Sequence, residues 1–324
     1  MKKTLIILYA MALACLLTAP VSAGTETVTI SVSQFVEHPA LDAVLKGFQD
    51  AMKEAGIPVD YEVHNAQANM ATANQIASQI MGERPDLILS IATPTSQACA
   101  QALKKAGHMK KTPLLFTAVT DPVSAGLVSD LERPGANITG VSDLLPVDEH
   151  MKMVTSFFPD IKTLGVLYNA GEANSKATVA SIREEGKKMG FDVIEATVSK
   201  SSEVYQAAKS LVGRVDAIFV PTDNTVVSAL ESAVKVCIQS QTPLFCADVD
   251  SVERGAAAAM GFDYYKHGRQ TAAMARRILA GADPAETPVE FQEELSLHIN
   301  LGSAKKMGVT VPPAVLERAD KTYE

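Results

Sequence analysis

Short apolar runs and polar helix starts alternate along almost the whole chain. Runs rich in β-branched and aromatic residues predict strands at 27–33 (TVTISVS), 59–66, 86–92 (DLILSIA) and 113–119. A second series follows at 163–169 (TLGVLYN), 192–198, 216–221 (DAIFVP) and 243–248. Between them lie stretches of helical period such as ALDAVLKGFQDAMKEAG, MATANQIASQIMG, SKATVASIREEGKKMG and EVYQAAKSLVGR. Gly56, Gly190 and Gly213 follow helical stretches, where a left-handed terminal position favours glycine. Strand–helix alternation with apolar strands predicts an α/β fold whose parallel sheets are covered by helices on both faces.

The pattern repeats. Asp86 and Asp216 each open an apolar strand that runs into a polar helix start, 130 residues apart (216 − 86). Thr112-Pro113-Leu114 and Thr242-Pro243-Leu244 open the following strands at the same spacing (242 − 112 = 130). Several matches at one offset, in one structural order, predict two similar lobes. After the second repeat come an amphipathic helix in 261–284, stopped by Gly281 and Pro284, and a strand-like PVEFQEELSLHIN. Elements beyond the second repeat imply that the chain crosses between lobes more than once, which makes a hinge.

The first 23 residues have the layout of a secretory leader: Lys2 and Lys3, an apolar Leu5–Leu17, then Val21-Ser22-Ala23. Its apolar core is shorter than the roughly 20 residues of a spanning helix. Cleavage after Ala23 is favoured over lipid attachment at Cys15, since Ala12 stands where such sites usually carry Leu and more apolar sequence follows. The formal charge of −8 then becomes −8 − 2 = −10, through loss of Lys2 and Lys3. An acidic chain with no Trp and no basic cluster argues against nucleic acid as partner. Cys99, Cys237 and Cys246 survive cleavage; for Cys237 and Cys246 a disulfide and two buried thiols both fit the pattern.

In parallel α/β sheets ligands lie beyond the carboxyl ends of the strands. That rule selects Ser33 and Gln34; Thr93, Pro94, Thr95 and Ser96; and 117–121, including Ala118, Thr120 and Asp121. In the second lobe it selects Tyr168, Asn169, Asn174 and Ser175; Thr222, Asp223 and Asn224; and Asp248 and Asp250. The junction at 93–96 is rich in hydroxyls and uncharged, so its helix start suits a carboxylate or phosphate. The junction at 222–224 places Asp223 beside the strand that leads to Asp248, which suits an ammonium group. Capping explains either junction alone; the contrast between them points to a zwitterion held across a cleft. Phe35, Phe116 and Tyr168 stand near strand ends as candidate covers for a side chain. Nucleophile elbow, P-loop, dinucleotide and H-E-x-x-H motifs are missing, and the six histidines show no ligand spacing, most of them being expected to be solvated or satisfied structural residues. An enzyme is not indicated, and no metal or cofactor is expected.

The leader, the two lobes and the motifs ATPTSQAC, FTAVTDPVSAGLV, GANITGVSD, GVLYNAGEANS, VPTDN and GFDYYKHGRQTAAMARRILAGADP resemble ABC-transporter substrate-binding proteins of the tryptophan- and tyrosine-uptake group. The resemblance spans essentially the whole chain after the leader. It implies the type I periplasmic binding protein fold, with two Rossmann-like lobes joined by a three-segment hinge. The lobes would be 24–143 plus 262–288 and 144–261 plus 289–324. It implies that Thr93, Thr95, Ser96, Ala118, Thr120 and Asp121 hold a carboxylate. Asn174, Ser175, Thr222, Asp223, Asn224 and Asp248 would contact the amino group and side chain. It further implies an exported, monomeric protein that delivers an amino acid to a membrane permease. A sensing role, and a small anion, purine- or sugar-like ligand, are the alternatives.

Overall fold

The computed structural model describes residues 27–292 and 294–324; the leader expected over 1–23 lies outside them. Two sheets carry the fold. The first contains β1 (Val28–Gln34), β2 (Val59–Asn65), β3 (Leu87–Ile91), β4 (Leu114–Val119), β5 (Ile138–Ser142) and β11 (Glu290–Phe291), in the order β11-β5-β4-β3-β1-β2. The second contains β6 (Thr163–Asn169), β7 (Asp192–Val198), β8 (Ala217–Val220), β9 (Leu244–Cys246), β10 (Ala258–Gly261), β12 (Ser296–Asn300) and β13 (Lys321–Tyr323), in the order β13-β12-β10-β9-β8-β6-β7. Every pairing is parallel except β10 with β12. The repeat is visible in the two orders: β4-β3-β1-β2 in one lobe matches β9-β8-β6-β7 in the other. Central strands are fully buried, as β3 is over Leu87–Ile91, which is why they read as unbroken apolar runs.

The repeated aspartates explain part of that likeness. The Asp86 carboxylate accepts from the Thr29 amide and hydroxyl, at 2.7 and 2.8 Å. Asp216 accepts from the amides of Lys162 and Thr163, both at 2.8 Å. Each therefore anchors the start of a central strand to its neighbour. The repeated prolines do the same on the other side, where their carbonyls accept from the Ile88 and Ile218 amides.

The chain crosses between the sheets three times: after β5, after β10, and between β11 and β12. The stretch 288–300 is thus two strands rather than one. Glu290 and Phe291 pair with Val141 and Ser142 of β5. The third crossover consequently falls after 291, not at the 288–289 boundary expected from the sequence.

The second crossover leads into the helix Tyr264–Leu279, which packs on the helix Pro39–Glu54 of the first lobe. Two glycines set how close they come. A Cβ at Gly47 would overlap the Tyr265 carbonyl oxygen, and one at Gly268 the Val44 carbonyl oxygen. Gly268→Ala is therefore expected to lower stability by about 1–3 kcal/mol through overpacking, read as a fall in urea midpoint. Helix propensity alone predicts the opposite sign, so a raised midpoint would show that the two helices separate freely. Cys99, Cys237 and Cys246 are free and buried, so the thiol alternative holds for Cys237 and Cys246. No described helix is long and apolar enough to cross a membrane.

Candidate functional site

The carboxyl ends of the two sheets face each other across a cleft. Its inner part lies between Ala118, Thr120 and Asp143 on the first lobe and Thr222, Asp223 and Asp248 on the second, with Tyr264 at the hinge and His38 and Asn174 at the far end. The enclosed space is about 20 Å³. Beyond it an outer groove of about 560 Å³ runs between Phe35 and 68–71 on one side and 169–172 and 197–199 on the other. Sheet order places the inner part toward the hinge strands β5 and β10 and the groove at the mouth, beside β2 and β7. The hydroxyls of Thr120 and Thr222 meet across the cleft at 3.2 Å.

Backbone strain collects at the same strand ends. Ala92 (φ 83°) joins β3 to its helix, and Ala118 (φ 52°) ends β4 beside a register shift. Neither is glycine, so both conformations cost energy that surrounding contacts must hold in place. The Ala118 amide donates to His267 Nε2 at 3.2 Å, one such contact.

The hydroxyl-rich junction divides its labour. Thr95 Oγ1 donates to the Ile91 carbonyl at 2.7 Å, and Ser96 Oγ donates to the Ala92 carbonyl at 2.8 Å and meets Ser90 Oγ. These two tie the helix Thr93–Lys105 back onto β3 and do not face the cleft. Thr93 Oγ1 is buried without a hydrogen-bond partner among the described residues, as is Ser33 Oγ on the neighbouring strand. Gln34 turns inward to the Val36 carbonyl and Asp42. Asp121 caps its own turn through Ser124 and lies outside the inner cleft.

Across the cleft, Asp223 is the cap of the helix Asn224–Ser228. Its Oδ1 accepts from the Val226 amide at 2.8 Å, and Oδ2 accepts from the Asn169 amide and the Ser175 hydroxyl, both at 2.6 Å. Three of its four lone-pair positions are taken, so Asp223 joins three segments of the second lobe before it offers anything to a ligand. Ser175 is spent on that clamp. The Tyr168 hydroxyl donates to Glu195 at 2.6 Å, on the face of the sheet away from Asn169; along a strand, consecutive side chains take opposite faces. Asn169 is the residue of that pair that reaches the groove. Asp248 lines the inner cleft while accepting from the Ser251 amide and hydroxyl at 2.9 and 2.7 Å.

Three residues of the site were missed in the sequence. Glu172 is buried behind the cleft. Its Oε1 accepts from the Thr225 amide and hydroxyl (3.0 and 2.8 Å), and Oε2 from the Asn224 amide group at 2.6 Å. Asp143, directly after β5, is buried; its Oδ2 accepts from the Tyr264 hydroxyl at 3.0 Å, and its Oδ1 has no partner among the described residues. His38 is buried with neither ring nitrogen hydrogen-bonded to a described residue, an exception to the expectation that most of the histidines are solvated or satisfied. The strand-end rule would have found Asp143 had ITGVS been read as a strand, and His38 had the loop after β1 been followed to its helix.

Burial governs the protonation of these groups. It raises the Asp143 and Asp248 carboxyls. Burial and the Glu172 charge push Asp223 up to about 8, and burial takes Asp250 to about 7. Burial lowers His38 to about 3, and His150 and His267 to about 4. The folded state keeps protons on Asp223 and Asp250 that the unfolded chain releases above 3.8, so their stabilisation is lost progressively as pH rises from there and is gone once about 7 for Asp250 and about 8 for Asp223 are passed. The unfolded chain instead protonates the three histidines first, so their contribution is lost as pH falls below 6.5. The melting temperature is therefore expected to fall between pH 6.5, above which the histidines no longer oppose it, and about 8, then to level off, and Asp223→Asn to make that fall shallower. An equally steep fall in the variant would assign the alkaline loss to other groups.

Residues 29–323 match the family of ABC transporter substrate-binding proteins, and the chain belongs to that family. It is 40% identical over 284 residues to a tyrosine-binding protein of Clostridioides difficile strain R20291, covering 86% of this chain and 80% of that protein. An ABC domain of Streptococcus pneumonia in complex with L-Trp superposes with a TM-score of 0.86 at 34% identity, covering 91% of this chain and 99% of the other. A ligand-free, open substrate-binding protein with adhesive properties from Clostridium difficile is 38% identical over the same shares, yet its TM-score is 0.67. Identity does not separate these two structures.

Proposed function

We propose that this is an exported, monomeric solute-binding protein that takes an aromatic amino acid into the interlobe cleft and delivers it to a membrane permease. The carrying observation is the buried Asp143 Oδ1, without a partner among the described residues, on a residue that lines a cleft shared by both lobes. An unpaired buried carboxylate is costly, and a ligand ammonium removes that cost. Thr93 offers a neutral hydroxyl at the end of β3 for the carboxylate, with the start of the helix Thr93–Lys105 behind it. The aromatic side chain is inferred from what the relatives are described as binding. Asp143 thus takes the role that the sequence suggested for Asp223, and Asp223 holds the second lobe together.

The enclosed space of about 20 Å³ is far smaller than any amino acid. Binding therefore requires the lobes to part and reclose around the ligand, and a ligand touching both lobes favours closure by its differential affinity. Delivery to a permease would read that closed form, without a reaction at the cleft. Thermal-shift screening of the protein against amino acids, sugars and nucleosides tests this reading. At one hundred times Kd a true ligand stabilises by about 2.7 kcal/mol. Stabilisation by L-tyrosine or L-tryptophan supports the reading; stabilisation by sugars or nucleosides alone overturns it.

A further inference from the structure

His38 is the one ring in the inner cleft whose two nitrogens are both buried and both without a partner among the described residues. It precedes the helix Pro39–Glu54 with an extended backbone and makes no capping bond with its side chain, so helix formation does not explain its burial. The cleft around it mixes apolar groups, Ala40 and Leu41 from its own segment and Val227 from the opposite lobe, with polar ones from that lobe such as Asn174, Asp223 and Asn224. Asn224 stands near enough to favour the charged ring, but burial and the Arg254 charge outweigh it and leave the imidazole neutral. A neutral imidazole presents one donor and one acceptor nitrogen.

Its place in the cleft separates it from the ammonium site. Asp143 follows β5 and the His38 loop follows β1, three strand positions away in the order β5-β4-β3-β1. At strand spacing this is roughly 14 Å between strand ends. The two residues therefore address opposite ends of a ligand. With its charged groups held toward the hinge and the centre, the ligand's side chain lies toward His38, Leu41 and Val227.

We propose that His38 is the specificity-determining residue of this cleft, accepting a hydrogen bond from a ring O–H or N–H of an aromatic amino acid. The proposal rests on the amino-acid reading above and adds a selection rule within it. Tyrosine and tryptophan carry such a donor and phenylalanine does not. Phenylalanine leaves the buried ring unpaired, and a buried polar group without a partner is penalised. The wild-type protein then binds L-tyrosine or L-tryptophan about ten- to a hundred-fold more tightly than L-phenylalanine.

Calorimetric titration of the full protein with these three amino acids, in wild type, His38→Leu and His38→Gln, tests this. The preference over phenylalanine collapses toward one in His38→Leu, through weaker binding of the ring donors while phenylalanine keeps its affinity. His38→Gln retains an acceptor and restores part of the preference. Equal wild-type affinity for all three, or an equal loss for all three in His38→Leu, overturns the role of His38 and leaves the amino-acid reading standing. If none of the three binds to wild type, both fall. Where His38→Leu does not fold, the wild-type ratio and His38→Gln decide the matter.

Discussion

Asp143→Ala is expected to weaken amino-acid binding by about a hundred-fold or more, the range for removing one partner of a buried charge pair. The carboxylate sits at the first crossover in the lining of the cleft, held by the Tyr264 hydroxyl at 3.0 Å, and its second oxygen has no partner among the described residues. Asp143→Asn keeps the acceptor for Tyr264 and removes the charge. It should show a large loss of affinity with little change in the melting temperature of the ligand-free protein. That separation marks a ligand contact. A variant whose affinity is intact would move the ammonium site elsewhere, with Asp248 the next acid along the cleft.

Glu172→Ala has the largest expected effect on stability. The carboxylate accepts from the amides of Asn224 and Thr225 and from both their side chains. Removing it strands several buried donors, each costing about 1–3 kcal/mol. A total loss of about 3–5 kcal/mol is expected, measurable by urea unfolding. Glu172→Gln preserves acceptor oxygen and removes the charge that raises Asp223, so the Asp223 carboxyl should titrate lower in that variant. A Glu172→Ala variant as stable as wild type would mean that water satisfies these donors, and that the second lobe does not depend on the clamp.

The architecture was legible because strand burial leaves a strong mark. Leu87–Ile91 and Ala217–Val220 are wholly buried and read as apolar runs, and the aspartates that open them, Asp86 and Asp216, keep one role in both lobes. The elements that escaped are short or built from small residues. β10 is Ala-Ala-Met-Gly, which carries no β-rich signal. β5 contains Gly140, where a Cβ would overlap the Phe116 carbonyl oxygen, so packing selected a residue that lowers strand propensity.

Missing β5 hid Asp143, because the rule that places ligands at strand ends needs the strand. Asp223 lines the cleft as its position at a strand end suggested, but its bonds within the second lobe could not be read from the sequence. A local pattern shows that an acid begins a helix, whereas its bonds to Asn169 and Ser175 are contacts across about 50 residues of chain (223 − 169 = 54; 223 − 175 = 48). The hydroxyls at 93–96 differ in the same way. Thr95 and Ser96 bond back to the end of β3 and its turn at Ala92, whereas Thr93 Oγ1 has no partner among the described residues, a difference that the run of hydroxyls does not show. Glu172 depends on both loops at once, so neither stretch alone signals it.

A zwitterion clasped between Asp143 and the hydroxyls of the first lobe makes a demand on each pole of the ligand. Calorimetric titration with L-tyrosine, with tyramine, which lacks the carboxylate, and with 3-(4-hydroxyphenyl)propionate, which lacks the ammonium, isolates the two. L-Tyrosine is expected to bind, and each single-pole analogue to bind about a hundred-fold more weakly or not at all. Binding of the propionate as tight as that of tyrosine would contradict the ammonium site at Asp143 and, with it, the amino-acid reading of the cleft.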